Sequence, residues 1–106
     1  MLSIEDFRHL NHISQIALTQ HSRRRLVERG ISIADVVCAI NNGKIIEQYP
    51  DDFPFPSCLI LGKTMDSRTI HLVASIDEGI IYLITAYYPS PEKWDAAGNV
   101  RRGDPK

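Results

Sequence analysis

His21, Arg25 and Arg29 follow one another at intervals of four residues. On an α-helix this spacing aligns the three side chains in one column, which Arg24 and Glu28 flank. Guanidinium groups pair bidentately with phosphate oxygens, and an imidazole transfers protons near neutral pH. The column therefore predicts phosphate recognition. The alternative is a solvated helix face on which Glu28 pairs with an arginine.

His71 and Tyr87 form the second candidate pair. His71 lies within one apolar segment, residues 69–76, and Tyr87 lies near the end of the next, residues 80–88. If the two segments are strands of one hairpin, His71 shares a sheet face with Tyr87 or with Tyr88, depending on the turn. These groups can act as acid and base, or the tyrosine can stack on a nucleobase. The alternative is a hydrogen-bonded, partly buried histidine beside a half-buried tyrosine.

The third candidate site is a corner rich in proline, residues 50–56, which we call the proline corner. Its three prolines restrict the backbone around two carboxylates and two aromatic side chains. Such a rigid corner suits the docking of a protein partner, although aspartates in turns more often bond their own backbone. The candidate partner-binding residues are Asp51, Asp52, Phe53 and Phe55.

Capping residues predict the helices that position these groups. A serine or threonine begins each of three segments of helical character, and the first and third carry an acidic residue three positions later, as in a capping box. A glycine follows the second and third segments, where helices commonly end. The caps are Ser3, Thr19 and Ser32, and the glycines are Gly30 and Gly43.

Four segments rich in β-branched and aromatic residues follow, at residues 44–49, 58–64, 69–76 and 80–88. Short polar turns separate the last three, which predicts antiparallel hairpins. Residues 13–18 are apolar enough for one further short strand. The predicted fold is therefore α+β, with two or three N-terminal helices packed on one face of an antiparallel sheet of about four strands. The other face of the sheet is expected to stay partly open.

The bulk composition allows one compact domain. The chain has 106 residues and a formal net charge of −1, so overall charge gives no argument for nucleic-acid binding. Cys38 and Cys58 stand in apolar runs outside any metal-ligand spacing and are expected to be reduced, which favours a cytoplasmic protein without metal or cofactor. No signal peptide or membrane-spanning segment is evident. We expect one domain over residues 1–96, with Trp94 as its last anchor, and a disordered tail over 97–106.

Several of these segments together resemble the domain-of-unknown-function family 4258. The most specific stretch runs from Tyr-Pro-Asp-Asp at residues 49–52 to Pro-Ser-Cys at 56–58. The resemblance covers about residues 16–95. The segments that carry it are residues 19–21, 25–31, 35–36, 43–52, 54–62, 70–71, 84–87 and 93–94.

The resemblance implies a biological context. Members of the family look like small bacterial toxins, some of them encoded beside a zinc-ribbon antitoxin protein. The order of helices before strands is also similar to RelE-like toxins, which cut messenger RNA without a metal. The first hypothesis is therefore a metal-independent endoribonuclease acting on RNA, with His21, Arg25, Arg29, His71 and Tyr87 as catalytic residues. The second is a non-catalytic protein-binding module that uses the proline corner.

Overall fold

The computed structural model describes residues 1–95, so the predicted disordered tail at 97–106 lies outside the described residues. The described part folds as three helices, one 3₁₀ turn and five strands. The helices are α1 (Ile4–His9), α2 (Gln20–Arg29) and α3 (Ile33–Asn42), and the 3₁₀ turn is Ile13–Gln15. The strands are β1 (Ile16–Leu18), β2 (Lys44–Tyr49), β3 (Ser57–Lys63), β4 (Thr69–Asp77) and β5 (Ile80–Tyr87).

The capping residues begin and end the helices as predicted. The Thr19 hydroxyl accepts a hydrogen bond from the Ser22 backbone N–H at 2.9 Å, and α2 ends at Gly30 in the left-handed conformation, with φ of 67°. At α3, Ser32 and Asp35 form a complete capping box. Asp35 also accepts a hydrogen bond from the Met65 backbone N–H at 3.1 Å, which ties the start of α3 to the β3–β4 turn.

The sheet differs from the prediction in strand number and in direction. It has five strands in the order β1-β5-β4-β3-β2. The added strand, β1, runs parallel to β5, with Ile16 opposite Ile81 and Leu18 opposite Leu83. The sheet is therefore mixed, and one strand comes before α2. The α+β class and the short strand predicted within residues 13–18 are confirmed. The sheet has five strands and is mixed, rather than antiparallel with about four strands, because β1 joins its edge by parallel pairing with a strand distant in sequence.

The β4–β5 hairpin carries a bulge that sets the neighbours of His71. The two-residue turn has positive φ angles at Glu78 and Gly79, 50° and 77°. Without an irregularity this turn would place His71 opposite Ala86. The register shifts by one residue between Val73 and Ala74, so His71 lies opposite Tyr87 instead. The predicted sharing of one sheet face by histidine and tyrosine is confirmed.

The main hydrophobic core lies between the helices and one face of the sheet. Alternate strand residues such as Ile60, Leu72 and Leu83 point into it. A Cβ atom at Gly62 would overlap the Ala39 backbone, and one at Gly43 would meet the Ala39 carbonyl oxygen. Because both positions are glycine, the backbone of α3 can pack directly against the backbone of the β2–β3 strands.

The opposite face of the sheet has no helix against it among residues 1–95. We call it the open face. It carries His71 and Ser75 of β4 and Tyr82 and Tyr87 of β5, which alternate with the core residues. Two elements lie over parts of this face: the proline corner, and the segment after β5 that contains Trp94. Among the described helices, none has the length and hydrophobicity needed to cross a membrane.

Candidate functional site

Helix α2 presents a basic surface to solvent. Ser22 and Leu26 are its buried residues, and they hold the helix against the sheet. His21, Arg23 and Arg24 are exposed, and within residues 1–95 their side chains make no hydrogen bond or ion pair. The three groups are therefore available to a ligand, and two of them are permanent cations.

The predicted column of His21, Arg25 and Arg29 forms on α2, but its members have different partners. Arg25 pairs with Glu28 at 2.9 Å, and both side chains are about half exposed. This is the arginine–glutamate pairing that the alternative interpretation of the column expected, and such a pair contributes little to stability. His21 and Arg29 are eight residues apart, about 12 Å along the helix axis.

Arg29 reaches from the end of α2 to the last part of β5. Its Nη1 donates to the Ala86 carbonyl oxygen at 2.7 Å and lies 3.4 Å from the Thr85 hydroxyl. Strand β1 pairs only with the first half of β5, which leaves this carbonyl free to accept. The guanidinium has five N–H groups, so it can make these contacts and still donate to a ligand. A cation is thus held at the backbone of Ala86, the residue that precedes Tyr87 in β5.

His71 is fully buried on the open face of the sheet. Its Nδ1 lies 3.4 Å from the Tyr87 hydroxyl, and the two rings meet edge to face with centroids 5.3 Å apart. Tyr87 is only partly buried, so solvent reaches part of the residue that contacts the histidine. The buried His71 can therefore act on a ligand through its contact with the Tyr87 hydroxyl.

Trp94 covers His71. Its ring meets the imidazole at 84° with centroids 4.3 Å apart, and the residue is 3% exposed. A turn in which the Ser90 carbonyl accepts from the Lys93 and Trp94 backbone N–H groups holds the indole there. The prediction that Trp94 anchors the end of the chain is confirmed. That it covers the histidine was not predicted, because nothing in the local sequence relates the two positions.

The proline corner and the open face enclose a cleft of about 450 Å³. Phe55 stacks on Tyr82 with ring centroids 6.4 Å apart and 26° between the planes. Phe53 at the rim is 94% exposed, and Asp52 accepts a hydrogen bond from the buried Ser57 hydroxyl. The cleft is lined by Thr19, Asp52, Phe53, Pro54, Phe55, Ser75, Tyr82 and Ile84. Asp51 is exposed on the same corner.

Cys58 and Asp35 have shifted pKa values. Burial raises the pKa of the Cys58 thiol to about 12, and both cysteines are free thiols. For Asp35, burial disfavours the charged form, but hydrogen bonds from Met65 and Ser32 outweigh it and lower the pKa below the usual 3.8. Within residues 1–95 no group of three His, Cys, Asp or Glu side chains is placed to hold a metal ion.

Comparison with protein families assigns the chain. The family model described as "Domain of unknown function (DUF4258)" matches residues 18–88, more than half of the sequence. The chain belongs to the DUF4258 family. The match includes α2, the proline corner and all of β5, so the groups described above lie within the family's domain, apart from Trp94. Searches among curated proteins and among solved structures return no significant match.

The structure brings some of the predicted residues together and separates others. His71 contacts Tyr87 near the end of β5, and Arg29 bonds the backbone of Ala86 in the same strand, whereas His21 and Arg25 lie further back along α2. The four corner residues lie together, with Phe55 against Tyr82. Sequence reasoning missed Tyr82 and Thr85 as site residues. Tyr82 had a signal in its strand parity, since it shares a face with His71 once the bulge is counted.

Proposed function

We propose that this DUF4258 protein is a metal-independent endoribonuclease, the toxin of a toxin–antitoxin pair. Its working surface is the end of β5 together with α2. The observation that carries the proposal is the position of Arg29, whose guanidinium bonds the carbonyl of Ala86, the residue before Tyr87, which itself contacts a buried histidine. Two helices, α2 and α3, precede the four strands β2 to β5, an order similar to RelE-like toxins, and this is a second argument for the same class of activity.

The chemistry suits transesterification of RNA. In this reaction the 2′-hydroxyl loses its proton and attacks the adjacent phosphorus, and the bond to the 5′-oxygen breaks as that oxygen gains a proton. The Tyr87 hydroxyl accepts the first proton as its own passes to His71 Nδ1, and the reverse transfer protonates the leaving oxygen. Arg29 stabilises the negative charge that develops on phosphorus. The products are a 2′,3′-cyclic phosphate and a 5′-hydroxyl, and no proton is gained or lost overall.

Helix α2 supplies the binding surface for the rest of the strand. Arg23 and Arg24 are exposed cations for the flanking phosphates. His21 and Arg25 lie on the same helix between the cleft at Thr19 and the site at Arg29. We assign these two residues to contacts with neighbouring nucleotides, because about 12 Å of helix separates His21 from Arg29.

RNA cleavage by the purified protein in EDTA tests the proposal. Tyr87→Phe keeps the ring and removes only the hydroxyl, and we expect cleavage to fall at least about 100-fold. Cleavage by the Arg29→Ala variant is expected to fall as far, and the Arg29→Lys variant should recover part of the lost cleavage. Lys44→Ala removes an exposed cation from the opposite edge of the sheet and serves as the control. Cyclic-phosphate ends on the products identify the chemistry.

Equal cleavage by the parent, Tyr87→Phe and Arg29→Ala proteins would show that these residues do not carry the reaction. If the protein neither cleaves nor binds RNA, the proposed ribonuclease activity is rejected. Circular dichroism and urea unfolding of each variant separate loss of chemistry from loss of fold.

A second candidate function is non-catalytic protein binding at the proline corner. It is favoured by the exposure of Phe53, whose side chain is 94% accessible on a corner that also exposes Asp51. By the resemblance of the family, the partner is a zinc-ribbon antitoxin protein. Mixing the chain with the product of a neighbouring gene should protect residues 51–55 from hydrogen exchange. Unchanged exchange with each neighbouring product would reject this function.

A further inference from the structure

The cleft between the proline corner and the open face, which we call the slot, is lined by two aromatic rings. Phe55 stacks on Tyr82 with planes 26° from parallel and centroids 6.4 Å apart. Both residues are 36% exposed, so a flat ring that enters the slot can stack on them.

One carboxylate lies at the rim of the slot. Asp52 is the acidic residue of the cleft lining, and the buried Ser57 hydroxyl holds one of its oxygens. The second oxygen remains available to a donor. A carboxylate accepts from the amino groups of nucleobases, and aromatic side chains stack on their faces.

The cleft is continuous with the basic helix. Thr19 both lines the cleft and caps the first turn of α2, which carries His21 and, one turn later, Arg23 and Arg24. A base in the slot would therefore have its phosphates beside permanent cations. An apolar peptide side chain would gain nothing from those cations, so the charge pattern favours a nucleotide.

We propose that the cleft binds one unpaired nucleobase of a single-stranded RNA, stacked on the exposed rings of Phe55 and Tyr82. Asp52 selects bases that carry an exocyclic amino group over uracil. Ile84 and Ser75 form the floor, and Phe53 closes the rim. The inference rests on the proposed RNA function and adds to it the recognition of sequence, at a site separate from the Arg29–Tyr87 centre.

The test uses a five-nucleotide 2′-O-methyl RNA of uridines with one central 2-aminopurine. Methylation blocks cleavage, so binding is measured by itself, and 2-aminopurine loses fluorescence when it stacks. We expect the parent protein to quench the probe. Tyr82→Ala should abolish the quenching and weaken binding about 10-fold, whereas Tyr82→Phe keeps the ring and should behave as the parent.

Selection by Asp52 is tested with adenine- and cytosine-centred oligonucleotides against the uridine one. The parent should bind the amino-bearing bases several-fold more tightly, and Asp52→Asn should bring the ratio close to one. Arg24→Ala is the contrasting variant, because loss of a phosphate contact weakens binding equally for every base.

The outcomes separate this inference from the proposed function. Cleavage of RNA by the parent with no quenching, or equal quenching by Tyr82→Ala and Tyr82→Phe, overturns the base slot and leaves the ribonuclease in place. Quenching that depends on the Tyr82 ring, without cleavage of any RNA, supports the slot and rejects the nuclease. Absence of RNA binding overturns both, and the cleft is then a docking surface for protein.

Discussion

The two faces of the sheet differ in what their residues are needed for. On the helix-covered face, packing accounts for the strand residues, including Gly62, where α3 lies too close for a side chain. On the open face, the histidine, the tyrosines and the aromatic corner lie outside the main core. We therefore propose that the polar and aromatic groups gathered on the second face serve the function of the protein as well as its packing.

The largest expected loss of stability comes from a substitution on the helix-covered face. Gly62→Ala places a methyl group against the Ala39 backbone, which cannot move without displacing α3. We expect a loss of about 4 kcal/mol or more in the free energy of unfolding, measured in urea. Gly30→Ala is the matched control. A Cβ atom at Gly30 would meet no neighbouring atom, so the left-handed backbone conformation is its remaining penalty, and we expect a loss of about 1 kcal/mol in the free energy of unfolding. Equal losses of stability in the two variants would show that the packing of α3 does not depend on its close approach to Gly62.

Trp94→Ala tests the open face. Removing the indole should cost about 3 kcal/mol. It should also uncover His71, so that diethyl pyrocarbonate, which leaves this residue unmodified in the parent, now modifies it. Trp94→Phe keeps a ring over the imidazole and should protect it at least in part. Modification of His71 in the parent at the rate of the exposed His21 would contradict the burial described above.

Asp35 links a helix cap to a strand turn and gives a pH-dependent effect. Its pKa is lower in the folded chain, so its stabilisation is present above pH 3.8 and is lost as the pH falls below that value. Asp35→Ala should cost about 1 kcal/mol at neutral pH. The difference in stability between variant and parent should shrink in acid, and a difference that stays constant from pH 7 to pH 3 would rule out this role.

The smallest effect concerns the cysteines. Cys58 is buried with a pKa raised to about 12, whereas Cys38 is only partly buried. Iodoacetamide at pH 8 should therefore label Cys38 and leave Cys58 unmodified, as read by mass spectrometry. Between pH 9 and 12 the unfolded thiol loses its proton and the folded one keeps it, so stability should fall with rising pH. Rapid labelling of Cys58 would show that the core opens locally.

Local signals predicted much of the fold. The helix limits at Thr19, Gly30 and Ser32 follow from side chains that bond the adjacent backbone. The hairpins follow from alternation and short turns. Strand β1 joined β5 in a direction that the sequence did not reveal, because three residues show no alternation and their partner lies about 65 residues away.

The site was less predictable than the fold, because its geometry depends on long-range contacts. The bulge beside Val73 puts Tyr87 rather than Ala86 opposite His71, and no residue type marks it. The docking of Arg29 on Ala86 depends on the short length of β1. The meeting of Phe55 and Tyr82 depends on how the corner folds back over the sheet. Residue types identified the candidates, but only the fold shows which of them meet.

Backbone amide chemical-shift mapping with a non-cleavable 2′-O-methyl RNA tests the division between the two faces most directly. The account predicts chemical-shift changes along α2 from His21 to Arg29, at residues 82–88 of β5 and its end, and in the proline corner. The shifts of the α3 amides and of the β2 amides before the corner should not change. Changes concentrated on α3, with α2, β5 and the corner unchanged, would contradict the assignment of function to the open face and α2.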